Sequence, residues 1–289
     1  MGKRIGTHSG SFHCDEALGC YLLRRTKEFA GAEIVRSRDP EVLRDLDVVI
    51  DVGGVYDADS RRFDHHQRGF DETFGLGFST KLSSAGLVYK HYGREVVASV
   101  MGLLPSHADT ETVYLKLYRS FMEALDAIDN GINQFDVDQP PRYVSSTDLS
   151  SRVGALNPRW NGDASAAATD AGFAKAVELT GHEFEEAVDY YSKAWLPARG
   201  IVQAAIQQRL EVDSSGEIFR LDTYCPWKDH LYELEHELEL PSPLKFCVYQ
   251  DERERKWRVQ AVSVSAGSFQ NRRSLPAAWR GLRDAELLE

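Results

Sequence analysis

Basic residues are in deficit in this chain. Lys and Arg total 34 against 45 Asp and Glu, a formal net charge of −11, with a pI near 5.4. That excludes a protein whose whole surface clamps nucleic acid by bulk charge. It leaves room for a local basic groove, or for an acidic site offset by bound metal. Long apolar runs are also missing: mean hydropathy is −0.41, and no stretch approaches the ~18 apolar residues of a membrane span. Cysteine is scarce, four residues (Cys14, Cys20, Cys225 and Cys247) with no C-x-x-C pair, so a disulfide framework is excluded and a reducing, intracellular setting is expected. The first residues, Met1-Gly2-Lys3-Arg4-Ile5, offer no apolar secretion signal, no Arg/Ser-rich presequence and no myristoylation spacing. Nucleus, cytoplasm and mitochondrion all stay open. Internal repeats and low-complexity tracts are absent as well.

What is present is a globular composition, 289 residues with 42% hydrophobic and 27% charged side chains, enough for one large or two ordinary domains. The first third alternates short apolar runs with helical patterns. Ile5 opens a strand, Asp15 to Arg24 has helical spacing, Glu33 to Arg36 is a second strand, and Val48 to Val52 is a β-branched run of the kind buried in parallel sheets. This alternation predicts an α/β fold. Val113, Leu117, Phe121, Leu125 and Ile128 recur at helical spacing as a buried stripe, stopped by Asn130-Gly131. A helical pattern from about Glu183 to Arg209 contains Pro197 and should kink or break there. Strands follow at Glu217–Leu221, Leu244–Tyr249 and Trp257–Val264, the last two as a hairpin around a charged tip from Gln250 to Lys256. We therefore expect an α/β parallel-sheet domain over 1–195 and a smaller α+β domain over 196–289.

The chemistry-bearing residues gather at strand ends. His8 to Glu16 follows the first strand, Asp51 ends the buried run ahead of Gly53-Gly54, and Asp64-His65-His66 forms a third group. Open α/β sheets bind ligands outside the carboxyl ends of their strands, so these loops can converge on one crevice. Asp129, at the end of the striped helix, is a fourth candidate. Single histidines are usually surface or core residues, and a strand-end Asp is often a turn former. Four of the nine histidines, however, lie between residues 8 and 66, each beside an Asp or on a strand-end loop. Imidazoles mixed with carboxylates suit Mn, Fe, Co or Zn better than Ca. Two such ions can share a carboxylate and clamp a phosphoryl group. Cys14, between two candidate ligands, is read as a buried filler.

Taken together, His8…His13-x-Asp15, Asp51, Asp64-His65-His66 and Asp129 resemble the four motifs of the DHH phosphoesterase superfamily. More closely, Gly6-Thr7-His8…Phe12-His13-Cys14-Asp15-Glu16-Ala17, Asp51-Val52-Gly53-Gly54, Asp64-His65-His66-Gln67 and Lys81-Leu82-Ser83-Ser84-Ala85-Gly86-Leu87 resemble the melanocyte-proliferating-gene-1-like exonucleases. So do Asp129-Asn130-Gly131, Leu156-Asn157-Pro158-x-Trp160-Asn161, Trp195-Leu196-Pro197-Ala198-Arg199, Cys225-Pro226-Trp227-Lys228 and Trp279-Arg280-Gly281-Leu282-Arg283-Asp284. The resemblance spans essentially the whole chain. It implies a DHH-type catalytic domain and a metal-dependent 3′–5′ exonuclease acting on RNA, described for eukaryotic members in nucleus and mitochondria. It makes His8, His13, Asp15, Asp51, His65 and Asp129 the metal ligands, with Asp64, His65 and His66 as the catalytic triplet and His66 contacting phosphate or donating a proton. Asp129 is preferred to Asp126, three residues away on the same helix. Two ions are implied, manganese first, with magnesium, cobalt or zinc as alternatives. Two features depart from the pattern. His13 stands where many superfamily members have Asp, which favours borderline ions. Family members usually continue into a final strand with a substrate-meeting Gly-Gly turn, whereas this chain stops at Glu289, so a shortened C-terminal domain is expected.

Single-stranded RNA or a short oligonucleotide is the expected partner, with no membrane involved and the oligomeric state open. Arg272, Arg273, Arg280 and Arg283 fall in an acid-free stretch, Ser268 to Arg283, interleaved with Phe269 and Trp279. Cations with aromatics are what single-strand grip requires; a solvated terminus with one anchoring Trp is the plain alternative. Arg61, Arg62 and Arg68 flank the triplet and can neutralise phosphate, or simply form surface ion pairs. Of these, Arg62, Arg68, Arg272, Arg273 and Arg280 are the substrate-binding candidates. Arg253, Arg255, Lys256 and Arg258 alternate with Glu252 and Glu254 and are read as a solvated hairpin tip. Two rival functions stand beside the exonuclease: a small phosphate-ester or pyrophosphate hydrolase, favoured by net acidity, and a non-catalytic regulatory binding protein.

Overall fold

The computed structural model describes residues 2–137, 139–251, 253–282 and 286, which fall into two compact units, Met1–Tyr191 and Ser192–Glu289. Glu252, Arg283 and Asp284, which the sequence places in the hairpin tip and the last motif, lie outside the described residues.

The first unit is built on β1 (Arg4–Thr7), α1 (Cys14–Arg24), β2 (Glu33–Arg36), α2 (Pro40–Arg44), β3 (Val48–Ile50), β4 (Tyr56–Asp57) and β5 (Arg62–Phe63). The strands form one sheet in the order β2-β1-β3-β5-β4, parallel except for β4 against β5. Val48, Val49 and Ile50 are all buried. Each such side chain contributes on the order of 1.5–3 kcal/mol of transfer free energy, which fixes the strand in the sheet's centre. The expected run is shorter by two residues, because Asp51 takes a left-handed φ of 56° and leaves the pleat. A two-stranded hairpin, β6 (Thr73–Gly75) and β7 (Phe78–Lys81), precedes α3 (Ser84–Met101). The unit continues through α4 (Ala108–Leu117), α5 (Glu123–Asp129), α6 (Leu149–Gly154) and α7 (Ala166–Tyr190).

The striped helix departs from expectation. Tyr118–Met122 is a π-helical segment between α4 and α5, and its wider turn advances the buried face. Tyr114, Tyr118 and Met122 join Val113 and Leu117 in the core, whereas Ile128 is 51% exposed. The same shift turns Asp126 inward, fully buried. Similarly, the break expected at Pro197 falls earlier, in a second π-helical segment, Tyr191–Trp195. Pro197 then sits in the first turn of the next helix, directly after that wider turn.

The second unit contains α8 (Leu196–Gln207), α9 (Arg209–Val212), β8 (Ile218–Leu221), α10 (Lys228–Glu237), β9 (Phe246–Gln250) and β10 (Trp257–Ala261). Its sheet runs β10-β9-β8, with β9 and β10 antiparallel, as the hairpin expectation required, and β8 parallel to β9. One side of the sheet carries a core of Phe219, Leu221, Cys247, Trp227, Leu231 and Leu234. Arg272 grips Glu235 through Nη1 and Nη2 at 2.6 and 2.8 Å and also donates to the Leu244 carbonyl. No helix among the described residues is long and apolar enough to cross a membrane.

Candidate metal centre

The carboxyl ends of β1 and β3, together with the triplet after β5, carry the site. His8 follows β1, and its Nε2 lies 3.0 Å from Glu16 Oε1 and 3.3 Å from Asp51 Oδ2. His13 caps α1 from outside, with its backbone N–H donating to both Glu16 oxygens at 2.8 and 3.0 Å. This places Asp15 and Glu16 in the helix's first turn, where the amide dipoles favour negative charge. The left-handed backbone at Asp51, a strain of order 1–3 kcal/mol for a residue other than glycine, turns its carboxylate toward these side chains. From the opposite side, His65 Nε2 approaches Asp51 Oδ1 at 3.5 Å and Asp129 Oδ2 at 3.1 Å.

Three groups of donors arise, each with its ligand atoms within 4.8 Å of one another: His8, His13, Glu16 and Asp51; Asp51, His65 and His66; and Asp15, His65 and Asp129. Asp51 belongs to two of them. All six residues expected from the sequence as ligands fall within these groups, Asp129 among them, and Asp126 falls in none. Asp126 faces away, accepting from Ser83 N, Ser83 Oγ and Tyr118 Oη. Cys14 is buried in the same wall, its thiol pushed up to about 12 chiefly by burial, which suits a filler rather than a nucleophile.

The triplet divides its work. Asp64 points into the Gly53-Gly54 turn, not into the donor groups, and accepts from Gly54 N at 2.5 Å, His66 N at 3.1 Å and His66 Nδ1 at 2.8 Å. Gly54 reaches it from a left-handed φ of 66°, which a side chain there would oppose. His66 is exposed and His65 buried. Asn130 orients His65: its amide donates to the Lys81 and Asp126 carbonyls, so Oδ1 is left 3.3 Å from His65 Nδ1 as acceptor. That holds the Nδ1–H tautomer and leaves Nε2 for a cation. The sequence reading missed Asn130 and Glu16 as site residues. Both sit inside quoted motifs, and Glu16 carried a further signal, the acidic residue three positions after a helix cap.

The electrostatics call for positive charge. Burial opposes protonation of His8 and His65, yet hydrogen bonds and charge from Asp51 with Glu16, and from Asp129 with Asp51, push them up to about 9 and about 10. Asp15 is raised well above the carboxylate range by burial and then by the charges of Asp51, Asp129 and Glu16. Asp51 is lowered, its neighbouring imidazoles outweighing its burial. Both Asp15 oxygens are buried without a hydrogen-bond partner, and His65 Nε2 faces only the carboxylates of Asp129 and Asp51. Orphaned acceptors facing a ring of carboxylates fit a divalent cation, which satisfies them and replaces the imidazolium protons.

A cavity of about 260 Å³ opens over the donors, lined by Phe12, His13, Asp15, Asp51, His66, Leu125, Ile128, Asp129 and Ser150. Of the arginines expected to meet substrate, Arg62 donates to the carbonyls of Ser60, Arg61, Arg44 and Leu46, and Arg272 holds Glu235. Arg68 and Arg273 are exposed, and Arg280 is exposed with Nε on the Leu275 carbonyl.

A mixed α/β protein with a mainly parallel sheet and buried His/Asp/Glu clusters able to bind a metal ion is the class this geometry defines. The chain belongs to the MYG1 exonuclease family, whose model, described as "Uncharacterised protein family (UPF0160)", matches residues 4–289. It is similar to the MYG1 exonuclease of Mus musculus, 50% identical over 290 residues, covering 98% of this chain and 75% of the relative. The human MYG1 exonuclease is 49% identical, covering 98% and 76%. The MYG1 protein of Dictyostelium discoideum is 47% identical over 283 residues, covering 98% and 85%. No solved structure matches this chain.

Proposed function

We propose that this chain is a metal-dependent 3′–5′ exonuclease that hydrolyses phosphodiester bonds of single-stranded RNA inside the cell, with two divalent ions, manganese first, in a DHH-type site. The observation that carries the reading is Asp51, with Oδ2 turned to His8 and Oδ1 to His65 and His66, the disposition of a carboxylate shared by two ions. The names of the mouse and human relatives, both MYG1 exonucleases, support nuclease chemistry.

Divalent ions held by His8, His13, Asp15, Asp51, His65 and Asp129 would acidify water and neutralise charge on the phosphoryl oxygens. Asn130 keeps His65 in its ligating orientation. Asp64 accepts the His66 Nδ1 proton, so Nε2 is the nitrogen free to bind a phosphate oxygen or pass a proton to the leaving oxygen. Phe12, Leu125 and Ile128 present an apolar wall that limits water in the cavity. Of the arginines expected from the sequence, Arg68, Arg273 and Arg280 are the exposed ones left for phosphate.

A second reading, hydrolysis of a small phosphate ester or pyrophosphate, is favoured by the cavity volume, which lies below the ~300–1,000 Å³ of ordinary ligand pockets. The separating experiment follows a 5′-labelled single-stranded RNA with Mn²⁺, comparing the chain with its Asp64→Ala, His65→Ala double variant. A ladder shortening from the 3′ end, lost in the variant and in EDTA, is expected. Turnover of small esters alone would replace the nuclease reading, and metal binding with no turnover of either would leave a binding protein.

A further inference from the structure

The Leu156-Asn157-Pro158-Arg159-Trp160-Asn161 segment takes no part in the metal centre, yet it is tied to it. The Asn157 amide closes on the backbone of Phe12: Oδ1 accepts from Phe12 N at 3.0 Å and Nδ2 donates to Phe12 O at 2.8 Å. Phe12 precedes the ligand His13 and lines the cavity. The Leu156 carbonyl and the Phe12 ring rest on α7 at Gly172, where an added Cβ would lie 2.6 Å from the carbonyl oxygen. The base of this loop is thus held from two sides.

Its tip does the opposite of packing. Trp160 is 96% exposed, Arg159 beside it is exposed, and neither side chain makes a hydrogen bond, ion pair or ring contact with the described residues. A tryptophan can bury 150–250 Å² or so, so displaying one on an anchored loop forgoes a large stabilisation unless something covers it. Three residues of chain span at most about 11 Å, which holds the Trp160 backbone within that reach of Asn157, whose side chain grips the cavity-lining Phe12. The pairing recurs nearby. Arg142 and Tyr143, the latter 79% exposed, lie in the loop that leaves α5 after the ligand Asp129 and re-enters α6, whose Ser150 lines the same cavity.

We propose that the Arg159–Trp160 tip is a base-stacking subsite for a single nucleic-acid strand leading to the metal centre, the indole taking a base face and the guanidinium the neighbouring phosphate. The inference rests on the nuclease reading of that centre. A chain of net charge −11 cannot hold a polyanion by bulk attraction, so away from the metal centre stacking beside a local cation is a mechanism open to it. A duplex keeps its base faces covered and gains nothing from an isolated indole, so the subsite selects unpaired strands.

The test titrates a 5′-fluorescein 12-nucleotide single-stranded RNA into the full chain by anisotropy, at low salt in EDTA so that nothing is cut. KM for the same strand is then measured with Mn²⁺. Trp160→Ala is expected to weaken binding roughly 5- to 150-fold, the range of one base–aromatic stack, and to raise KM. Trp160→Phe should recover most of the loss. Arg159→Gln should flatten the salt dependence by about one phosphate contact, which Trp160→Ala should not. Leu104→Ala, which removes another exposed apolar side chain (71%) elsewhere, should change nothing. Parent-like affinity and KM in Trp160→Ala overturn the subsite while leaving the nuclease intact. A parent dimer that Trp160→Ala dissolves, with strand binding unchanged, assigns the indole to a second copy and also overturns it. A parent that neither binds nor cuts any strand overturns the nuclease reading and the subsite together.

Discussion

Asp15 carries the sharpest consequence at the scale of one residue. Its carboxyl is buried, has no hydrogen-bond donor on either oxygen, and faces three other acidic side chains. Such a group destabilises the metal-free fold and becomes an asset once a cation is bound. Asp15→Asn should therefore melt at a higher temperature than the parent in EDTA at pH 8. The parent should gain roughly 5–10 °C from saturating Mn²⁺, and the variant little. Differential scanning with and without metal checks both halves, and equal metal shifts in the two proteins would remove Asp15 from the site. Asp51 teaches a related lesson. The sequence marks it as a strand-end carboxylate, but its left-handed backbone, which aims both oxygens at different imidazoles, is not written in the residue type.

At the scale of elements, the π-helical segment between α4 and α5 decides what the site's back wall looks like. By advancing the buried face it sends Asp126 onto the first turn of α3, where the carboxylate accepts from Ser83 and presses on Gly86. An added Cβ at Gly86 would sit 2.2 Å from Asp126 Oδ1, so Gly86→Ala should destabilise by about 1–3 kcal/mol, read as a lower urea midpoint at unchanged m-value. Burial is the main cause pushing Asp126 up to about 7, against the hydrogen bonds from Ser83 and Tyr118. A folded-state value above the unfolded one means that the native state holds the extra proton. The stability this contributes is full below about pH 4 and is lost as pH rises through about 7. Asp126→Asn keeps the Ser83 bonds without the charge, so it should raise Tm by several degrees at pH 8 in EDTA and lose that advantage toward pH 4. A pH series of melts tests the sign. Periodicity alone predicted one continuous stripe ending in a buried Ile128. The extra residue in the π turn is invisible to that count, because nothing in Tyr118–Met122 breaks helical propensity.

Charge becomes decisive at the scale of the whole molecule. With 45 acidic residues against 34 basic ones, and a donor cluster of four carboxylates at the cavity, the metal-free chain repels the phosphates it is proposed to cleave. Chelation should lower affinity for a single strand at least about tenfold, since even one desolvated charge contact is of order 1.5–3 kcal/mol. Anisotropy at matched ionic strength with Mn²⁺ and with EDTA measures the difference. Equal affinities would mean that the strand is held wholly away from the cluster.

Much of this architecture is legible in the amino-acid pattern. Most of the β-branched run expected over Val48–Val52, the helix expected over Asp15–Arg24 and the antiparallel pair flanking 250–256 follow from short-range pattern, because burial in a sheet or on one helix face selects residue types at period 2 or 3.6. The ligand types were legible for the same reason: imidazoles and carboxylates crowded at strand ends are chemically conspicuous. Roles that depend on three-dimensional orientation were not. Arg62 and Arg272 have the composition of phosphate contacts, yet their guanidiniums are turned to backbone carbonyls and to Glu235. Asp64 sits in the triplet yet buttresses His66 from the Gly53-Gly54 turn. Trp160 belongs to a conspicuous motif, but only the fold shows its base clamped to Phe12 and its indole in solvent. Residue types alone mark which side chains can serve as metal donors, since donor identity is a property of residues. Which donors meet depends on the folded backbone, because the left-handed conformation at Asp51 and the extra residue in a π turn set where each charge points.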